Sequence, residues 1–522
     1  MVDSSVQENK LNTVLPENTV KTLVPQAEVP RVVKPSPSRY RNEIAKYIIH
    51  RDTSKCTYCG KCAEICPQGV HVLKTGYKLF LAPHCATCIG PSCANTDHYC
   101  IDKCPNKALK MVENPMLKAL GDYRWTPDLI LATWKMSETG APPSADYDYD
   151  RETGNSGGGF DRLRFKFPKT PPVILNDEDI DTSIELNRRH DDRPNIKIDV
   201  PWYGGGMSFG SVSNVTQLSK ARAATAFNTF TCTGEGGYME RMRPYDDHVI
   251  TQVATGLFGV REETIQRVRI VEFKYAQGAK PGLGGHLLAD KVTPAVARMR
   301  ETVLGISLFS PFPFHSVYSI EDHKKHMDWI KHVNRRALIS TKVSTPVDVD
   351  MVAVGSYSAG THIIHIDGGY GGTGAAPDIA KKNIAMPIEY AIIKVHRFLV
   401  AEGIRDKVTL IASGGLRSAF DIAKAIALGA DGVVVGTGEL VALGCIRCAR
   451  CESGRGCPRG IATTDPELAE KVDLDWGTQR IINLYSAWRK DLVDILKRLG
   501  IRSVTELRGR TDLLTHMDYE KK

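Results

Sequence analysis

The chain has 522 residues, 42% of them hydrophobic, and a formal net charge of +8. A chain of this length buries a large core and suggests two to four domains. The positive charge is spread thinly, which argues against nucleic-acid binding, and no apolar run approaches the roughly 20 residues of a membrane span. We therefore expect a cytoplasmic protein with no membrane span.

Residues 1–45 are rich in Val, Pro, Glu, Asn, Lys and Ser and have no sustained hydrophobic period. Such a segment buries too little apolar surface to fix a structure by itself. We predict an extended or disordered arm.

The cysteines fall into two tight groups. Nine of the fourteen lie from Cys56 to Cys104, four lie from Cys445 to Cys457, and Cys232 stands alone. Intervals of two and three residues bring thiolates to one metal centre, whereas disulfides link distant segments. Both groups therefore indicate metal sites.

The first group opens with the run C-x2-C-x2-C-x3-C-P, which is typical of bacterial two-cluster ferredoxins and extends from Cys56 to Pro67. Residues 46–112 are therefore predicted to form a ferredoxin-like domain with two 4Fe-4S clusters. By this pattern the ligands of the first cluster are Cys56, Cys59, Cys62 and Cys104. Those of the second are Cys66, Cys85, Cys88 and Cys100. Cys93 is the alternative to Cys100, and a zinc site is the alternative to the clusters.

Two further segments carry no chemistry that the sequence identifies. Residues 113–195 contain a helical stretch at 125–136 and then a region rich in Pro, Ser, Asp and Tyr. We interpret them as a connector that wraps over the next domain. Residues 466–522, with an amphipathic stretch at 481–498, predict a helical tail that caps that domain.

Between residues 196 and 465, short apolar runs alternate with longer amphipathic segments. The strand candidates are 198–203, 228–233, 270–275, 304–309, 337–343, 362–367, 408–413 and 432–436. The helix candidates are 294–304, 320–332, 387–402 and 419–428. This alternation predicts an α/β fold, a (β/α)8 TIM barrel, with a doubly wound sheet as the alternative. The barrel is favoured because glycine-rich turns follow the strands, and a barrel collects those loops on one face.

Two kinds of turn at that face indicate ligands. The turn from Ala276 to His286 contains four glycines and Lys280, which brings backbone and a positive charge close to a planar or anionic group. An ordinary strand-end turn is the alternative. The turns that begin at Ser413 and Gly436 follow the last two strands, the usual phosphate site of such barrels. We therefore expect a phosphate-bearing cofactor.

The second cysteine group comes immediately after the last predicted strand. It consists of Cys445, Cys448, Cys451 and Cys457. This spacing predicts a third iron–sulfur cluster beside the barrel mouth, with zinc as the alternative.

Six motifs in this order resemble the FMN-binding synthase domain of glutamate synthase. They are Met207-Ser-Phe-Gly-Ser211, Thr233-Gly-Glu-Gly-Gly237, Ala276-Gln-Gly-Ala-Lys-Pro-Gly282, Tyr318-Ser-Ile-Glu-Asp322, Gly371-Gly-Thr-Gly-Ala375 and Cys457-Pro-Arg-Gly-Ile-Ala-Thr463. With the ferredoxin module in front, the whole chain resembles the archaeal-type, multi-subunit form of that enzyme.

The resemblance implies an FMN on the barrel face. Its contacts would be Met207, Ser208, Thr233, Gln277, Lys342, Gly371, Gly372 and Thr373 near the flavin, and Ser413, Gly414, Gly415, Gly436 and Thr437 near the phosphate. The resemblance also implies that Lys280 and Arg300 bind the carboxylates of 2-oxoglutarate. Glu235 would link ammonia delivery to the flavin site.

The chain departs from the family pattern at three points. His286, counted with the predicted catalytic residues, stands where the family usually has a glutamine, and Leu283 replaces an acidic residue in the same turn. Three of the second-group cysteines match the family's ligands for a 3Fe-4S cluster. Cys448 has no counterpart, so a 4Fe-4S cluster is the open alternative.

The implied activity is reductive amination of 2-oxoglutarate to L-glutamate by ammonia, with FMN refilled through the clusters. The sequence has neither an amino-terminal cysteine nucleophile nor a dinucleotide fingerprint. We therefore expect a glutamine amidotransferase subunit and further glutamate synthase subunits, with an electron-donor subunit or ferredoxin. The alternatives are an N-methylglutamate synthase and an electron-relay subunit of a flavin and iron–sulfur complex.

Overall fold

The computed structural model describes residues 24–40, 44–154, 159–372, 374, 376–377, 379–381, 383–452 and 454–519. Residues 1–23 and 41–43 of the predicted arm lie outside the described residues, as does Thr373 among the predicted flavin contacts. Residues 24–40 contain no helix or strand. They pack against later parts of the chain. The Tyr40 hydroxyl, for example, donates a hydrogen bond to the carbonyl of Leu443 at 3.1 Å.

Eight parallel strands close into a barrel, which confirms the predicted (β/α)8 fold. They are β1 Trp202–Gly204, β2 Thr231–Cys232, β3 Val249–Ala254, β4 Ile270–Lys274, β5 Leu338–Ser344, β6 Ile363–Asp367, β7 Thr409–Ser413 and β8 Gly432–Val435. β8 pairs with β1, Val435 opposite Gly204, and this pairing closes the sheet. The strands are buried because helices cover the outer face and side chains fill the interior.

One predicted barrel strand, 304–309, is wrong. Its end belongs to a short strand, Leu308–Ser310, which pairs antiparallel with Gly285–Leu287 outside the barrel. Val303, Leu304 and Ile306 are exposed, so this apolar run lacks the burial of a barrel strand. The sequence does not predict β3, since polar residues interrupt its apolar run at 251 and 252.

The helices after the strands cover the outside of the barrel. They are α1 Asn214–Ala226, α2 Glu262–Arg267, α3 Pro294–Arg300, α4 Ile320–Val333, α5 Val349–Ala359, α6 Ile388–Ala401, α7 Ala419–Leu428 and α8 Thr437–Ala442. A 3-10 segment, Glu240–His248, connects β2 to β3. Serine side chains cap the first turns of α1, α4 and α7 by accepting a backbone N–H.

The connector and the tail form a joint layer around the barrel. The tail contains α9 Pro466–Ala469, α10 Leu474–Leu499 and α11 Val504–Leu507. α10 contacts both α1 and the connector helix Pro127–Thr139, and its Trp488 packs edge-on against Trp202 of β1 with ring centroids 6.1 Å apart. The last strand, Leu514–His516, pairs antiparallel with Leu163–Phe165 of the connector. Ile184–Glu185 of the connector pairs antiparallel with Lys197–Ile198, which precedes β1.

The ferredoxin module has two small sheets and one short helix. Tyr47–Arg51 pairs antiparallel with Leu109–Glu113, and Leu73–Lys74 pairs antiparallel with Leu79–Phe80. The helix, Lys61–Ile65, carries Cys62. Across the part of the chain that the structure describes, no helix has the length and apolar character needed to cross a membrane.

Arg417 joins the connector to α7. Its Nε donates to Asp421 Oδ2 at 2.8 Å, its Nη1 donates to the Arg124 carbonyl at 2.7 Å, and its Nη2 donates to Asp161. The guanidinium and both carboxylates are buried. The connector is therefore held by a buried ionic contact.

We expect Arg417→Ala to lower the free energy of unfolding by about 3–5 kcal/mol, because it leaves two carboxylates buried without their cation. Urea unfolding followed by tryptophan fluorescence measures the loss. Arg510→Ala is the matched control, since Arg510 pairs with Asp512 at an exposed position, and it should cost no more than about 1 kcal/mol. Similar small losses for both variants would contradict the prediction.

Candidate functional site

A line of buried polar side chains crosses the barrel from β4 to β7. His365 Nδ1 lies 2.9 Å from Glu272 Oε2, and His365 Nε2 lies 2.7 Å from Ser413 Oγ. The Ser413 hydroxyl donates to Asp367 Oδ1 at 2.5 Å. Strand register produces the line, since Lys342 of β5 is level with His365, and Asp367 is level with Ser413.

Two hydrogen bonds fix the orientation of the His365 ring. The single Ser413 proton goes to Asp367, so His365 Nε2 must donate to Ser413. Burial raises the pKa of Glu272, but His365 and Lys342 outweigh it and lower that pKa to about 2. His365 Nδ1 therefore lies against an ionised carboxylate.

Lys342 completes the charge balance. Its Nζ lies 3.4 Å from Asp367 Oδ2. Burial raises the pKa of Asp367, but Lys342 and then His365 outweigh it, and the pKa falls below its usual range. Two buried anions, Glu272 and Asp367, therefore lie beside His365 and Lys342.

The loops after β4, β6 and β7 meet above this network. A Cβ at Gly278 would lie 1.9 Å from the Gly368 carbonyl oxygen, and a Cβ at Gly414, where φ is +104°, would lie 2.7 Å from the same atom. A Cβ at Gly371 would lie 3.5 Å from it. The Gly278 N–H donates to Asp367 Oδ2 at 2.9 Å. The backbones of the three loops come this close because Gly278 and Gly414 have no Cβ.

The residues predicted to bind the substrate lie together at the barrel mouth. Lys280 is 2% exposed and Arg300 is 5% exposed. Arg300 Nη2 donates to Ser208 Oγ at 2.8 Å, and Glu235 Oε1 lies 3.0 Å from Lys274 Nζ. Within the described residues, Arg300 Nε and Glu235 Oε2 are buried without a hydrogen-bond partner. Both atoms are therefore available to a ligand.

Burial lowers the pKa of both predicted substrate cations. The pKa of Arg300 falls to about 10, although Glu235 opposes the change. Burial and then repulsion from Lys274 lower the pKa of Lys280 below its ordinary 10.5, while Glu235 and Glu452 oppose this. A bound anion would offset the cost of burying these charges.

His286 links Lys280 to the cysteine loop, residues 445–457. Its Nδ1 lies 3.3 Å from Lys280 Nζ, and its Nε2 lies 3.3 Å from Glu452 Oε2. Lys291 Nζ donates to the Cys451 carbonyl at 2.8 Å. His286 thus lies in the site, whereas Leu283 is 51% exposed.

The loops after β1 and β2 are tied by one side chain of α1. Gln217 Nε2 donates to the Met207 carbonyl at 3.2 Å and to the Thr233 carbonyl at 3.1 Å. Gln277 Nε2 donates to the Gly284 carbonyl at 3.3 Å across its own turn. Three predicted flavin contacts therefore lie at the mouth, in loops with fixed backbones.

The predicted phosphate contacts lie at the ends of β7 and β8. A Cβ at Gly436 would meet no atom within 4 Å, so there is room beside this backbone. A Cβ at Gly415 would lie 2.5 Å from Arg124 Nη2, and Arg124 donates to the Gly415 carbonyl at 3.3 Å. A Cβ at Gly372 would lie 2.3 Å from Thr437 Oγ1. An open space beside glycine backbone, a hydroxyl and a guanidinium fits a phosphate.

The cysteine loop lies at the same mouth. Cys445, Cys451 and Cys457 are half-buried, and Cys448 is exposed. A Cβ at Gly374 would lie 2.9 Å from Cys451 Sγ. Burial and then the Cys457 and Cys448 thiols raise the pKa of Cys451. Thiols crowded in this way ionise together when a cationic metal core compensates them, so this donor set fits a cluster.

The four cysteines predicted for the first ferredoxin cluster line one cavity. They are Cys56, Cys59, Cys62 and Cys104. Arg51 and Phe80 complete the wall, and the Ala108 N–H donates to Cys104 Sγ at 3.3 Å. The predicted ligand set therefore faces a common space.

The other ferredoxin cysteines lie together at a separate place in the module. Burial and then the Cys88 and Cys66 thiols raise the pKa of Cys100 to about 12. Burial raises the pKa of Cys88 to about 11, and Cys93 and Cys85 add to the increase. Cys93 and Cys100 thus both lie near Cys66 and Cys88. Among the described residues, no three His, Cys, Asp or Glu side chains are arranged to hold a single metal ion.

The connector joins the second ferredoxin group to the cysteine loop. Tyr149 and Cys445 pack against the same apolar cluster. Burial raises the pKa of Tyr149 above its ordinary value, and the nearby Cys88 thiol adds to this. Arg447 Nε donates to Asp122 Oδ2 at 2.9 Å. The connector, in which the sequence identifies no chemistry, therefore lies between the ferredoxin cysteines near Cys88 and the cysteine loop.

Five residues of this region escape prediction from sequence: Glu272, His365, Asp367, Arg124 and Tyr149. The first three lie in strands that are otherwise apolar apart from Lys274, IVEFK and IIHID. An ionisable residue inside a buried strand is the signal that identifies them, because it needs a partner on a neighbouring strand.

Two protein families match the sequence. The family described as "Conserved region in glutamate synthase" matches residues 164–502, and the family described as "4Fe-4S binding domain" matches residues 49–70.

Three proteins similar to this chain are named as glutamate synthases. The "Archaeal-type glutamate synthase [NADPH]" of Thermotoga sp. (strain RQ2) is 34% identical over 503 residues, covering 91% of this chain and 96% of the relative. The "Archaeal glutamate synthase [NADPH]" of Methanocaldococcus jannaschii is 42% identical over 330 residues, or 63% and 64% of the two chains. The "Glutamate synthase [NADPH] large chain" of Azospirillum brasilense is 38% identical over 316 residues, 59% of this chain and 21% of the relative.

We expect His365→Gln to lower the free energy of unfolding by about 3–5 kcal/mol, because the buried, ionised Glu272 loses its partner on β6. The double variant Glu272→Gln/His365→Gln should lose less than the single variant, since no unbalanced carboxylate remains. Urea unfolding of the variants measures both. His516→Gln is the matched control, because His516 lies 3.5 Å from the exposed Asp518. Additive losses for Glu272→Gln and His365→Gln would contradict the prediction.

Proposed function

Since the chain belongs to the glutamate synthase family, we propose that it aminates 2-oxoglutarate with ammonia to give L-glutamate, using electrons that reach the barrel through iron–sulfur clusters. Its membership makes it an oxidoreductase of that family. One observation carries the choice of substrate: two buried cations, Lys280 and Arg300, flank Glu235 at the barrel mouth.

A dicarboxylate needs two fixed positive charges, and the mouth has them. Lys280 and Arg300 would each bind one carboxylate of 2-oxoglutarate. Arg300 Nε and Glu235 Oε2, which have no partner among the described residues, supply a free donor and a free acceptor beside them. Glu235 would accept a proton from the incoming ammonia as it attacks the keto carbon.

The amination consists of a condensation and a reduction. Ammonia and the keto group form an imine and release water, and the imine then takes up a hydride and a proton. FMN supplies the hydride when it is bound. The role of the chain is to orient the imine and to exclude water, because water hydrolyses the imine.

The residues at the mouth fit an FMN. Lys342 is held at Asp367 below the loops, and there is room beside the backbone of Gly436. Met207, Ser208, Thr233, Gln277, Gly371, Gly372 and Thr373 are the proposed flavin contacts, as in the resemblance. Ser413, Gly414, Gly415, Gly436 and Thr437 are the proposed phosphate contacts, and we add Arg124 to them because it bonds the Gly415 carbonyl.

Three iron–sulfur clusters would connect the surface to the flavin. The match to the 4Fe-4S binding domain supports clusters in the ferredoxin module. We propose two 4Fe-4S clusters there, with Cys100 or Cys93 as the last ligand. For the cysteine loop we propose Cys445, Cys451 and Cys457 as ligands. The exposed Cys448 is the residue that would make this cluster 4Fe-4S rather than 3Fe-4S.

The proposed partners follow from what the reaction consumes. A glutamine amidotransferase subunit would release ammonia, and a donor subunit or a ferredoxin would reduce the first cluster. The relatives are named for NADPH, so we propose NADPH as the origin of the electrons through such a partner. Crowded free thiols favour a reducing compartment, and we propose the cytoplasm.

A single anaerobic experiment tests the proposed reaction. The purified chain, reconstituted with FMN and iron and sulfide, is reduced with dithionite and then mixed with 2-oxoglutarate and ammonium. We expect the flavin and the clusters to reoxidise and one glutamate to appear for every two electrons that they lose. If the flavin is reoxidised by 2-oxoglutarate and methylamine but not by 2-oxoglutarate and ammonium, the reaction is that of an N-methylglutamate synthase, and our proposal is wrong.

We expect Lys280→Gln to lower kcat/KM for 2-oxoglutarate about 10- to 100-fold, because a charged hydrogen bond is worth roughly 1.5–3 kcal/mol. Lys324→Gln, which makes the same change at an exposed position of α4, should match the wild type. Because the pKa of Lys280 is lowered, wild-type KM should rise at a pH below that at which an ordinary lysine loses its proton. This alkaline rise should be absent in Lys280→Gln. An unchanged KM in that variant would overturn the assignment.

A further inference from the structure

The ferredoxin module carries a small hairpin beside the cavity of the first cysteine group. The strands Leu73–Lys74 and Leu79–Phe80 form a two-stranded sheet that pairs with no other strand of the described chain. A hairpin of this size is marginal on its own. It is supported from below, where Phe80 lines the cavity of the cysteines and stacks with Tyr58 at a centroid distance of 6.2 Å.

The outer side of this hairpin is apolar. Tyr77 is 83% exposed, Leu79 is 49% exposed, and Val72 and Leu81 are also exposed, while Leu73 and Phe80 alternate with them and are half-buried. A sheet with one solvated face normally places polar residues there. A contiguous apolar patch of this kind indicates a contact surface.

The surroundings of the patch are strongly basic. The segments 51–62, 72–84 and 103–110, which line or cover the cavity, contain eight cations: Arg51, Lys55, Lys61, Lys74, Lys78, Lys103, Lys107 and Lys110. The same segments contain one acid, Asp52, which lies 3.3 Å from Lys55, and Lys103 lies 3.2 Å from Asp97 outside them. The hairpin itself has two exposed lysines, Lys74 and Lys78, and no acid. An acidic protein surface would be attracted here.

The patch also lies where an electron would have to enter. Among the cysteines predicted for the first cluster, Cys59 is exposed. The cysteines predicted for the second cluster lie toward Tyr149 and the barrel. The Arg51 guanidinium carbon lies 3.5 Å from the centroid of the Phe80 ring, which joins the hairpin to the cavity wall. A redox protein seated on the hairpin would face the first cluster across a thin wall.

We propose that residues 72–81 are the docking surface for an acidic electron-carrier protein, which reduces the first cluster by single-electron transfer. The carrier is oxidised by one electron for each electron that the cluster gains, and two such transfers balance one amination. Apolar contact through Tyr77, Leu79 and Leu81 would hold the carrier, and the lysines would steer it. This inference rests on the proposed function only in its assumption that electrons enter through the ferredoxin module.

The test compares a protein donor with a small neutral donor. The full chain, loaded with its clusters, is mixed anaerobically with a reduced acidic two-cluster ferredoxin or with photoreduced 5-deazariboflavin, and the bleaching of its clusters is followed by stopped flow. We expect Lys74→Glu/Lys78→Glu to lower the second-order rate with the ferredoxin at least about 10-fold at low salt. The difference should shrink at about 1 M salt, where screening acts within roughly 3 Å. The rate with deazariboflavin should be unchanged.

Two further variants separate charge from apolar contact. Tyr77→Ser should slow the ferredoxin reaction at every salt concentration. Lys169→Glu/Lys407→Glu makes the same charge change at exposed positions outside the three segments and should react like the wild type.

Equal ferredoxin rates for Lys74→Glu/Lys78→Glu and this control would overturn the proposal. So would a wild-type oligomer that Tyr77→Ser dissociates, because the hairpin would then be a contact between copies of the chain. The proposed function fails by a different result, namely no glutamate from deazariboflavin-reduced wild type, while the docking rates remain readable.

Discussion

Charge inside a closed barrel must be balanced inside that barrel, and this constraint organises the mouth. An unpaired ion buried there would cost several kcal/mol. Glu272 and Asp367 therefore face His365 and Lys342, and Ser413 carries the contact from β6 to β7. These partners come from four neighbouring strands. The contacts between them therefore depend on the strand register, and they in turn favour that register.

The backbone approach above the network depends on the same residues. Asp367 accepts the Gly278 N–H, so the carboxylate that balances Lys342 also holds the turn that carries Lys280. A side chain at Gly278 would collide with the Gly368 carbonyl. The position of a predicted substrate cation is therefore set by a buried carboxylate and by a glycine, neither of which need touch the substrate.

Sequence patterns predict the parts of this chain whose local chemistry is distinctive. The cysteine intervals from Cys56 to Cys66 identify the ferredoxin module, and the glycine turns after the strands identify the barrel. The run 304–309 is wrongly predicted as a barrel strand because apolar composition does not reveal exposure. β3 is missed because the polar Gln252 is paired inside the barrel by a hydrogen bond to Glu272, a contact that the sequence does not show. The partners of His365 lie on other strands, and only the closed barrel brings them together.

The connector is the clearest case of function that depends on tertiary contacts alone. Its composition is that of a loop, yet Asp122 binds Arg447 of the cysteine loop, Arg124 reaches Gly415, and Tyr149 packs near Cys445. Electron transfer weakens steeply with distance, so cysteine groups on separate modules are useful to each other only if their separation is fixed. Arg417 fixes it from the barrel side by binding the Arg124 carbonyl and Asp161. The same buried guanidinium therefore holds the connector both at the predicted phosphate side of the mouth and between the ferredoxin module and the barrel.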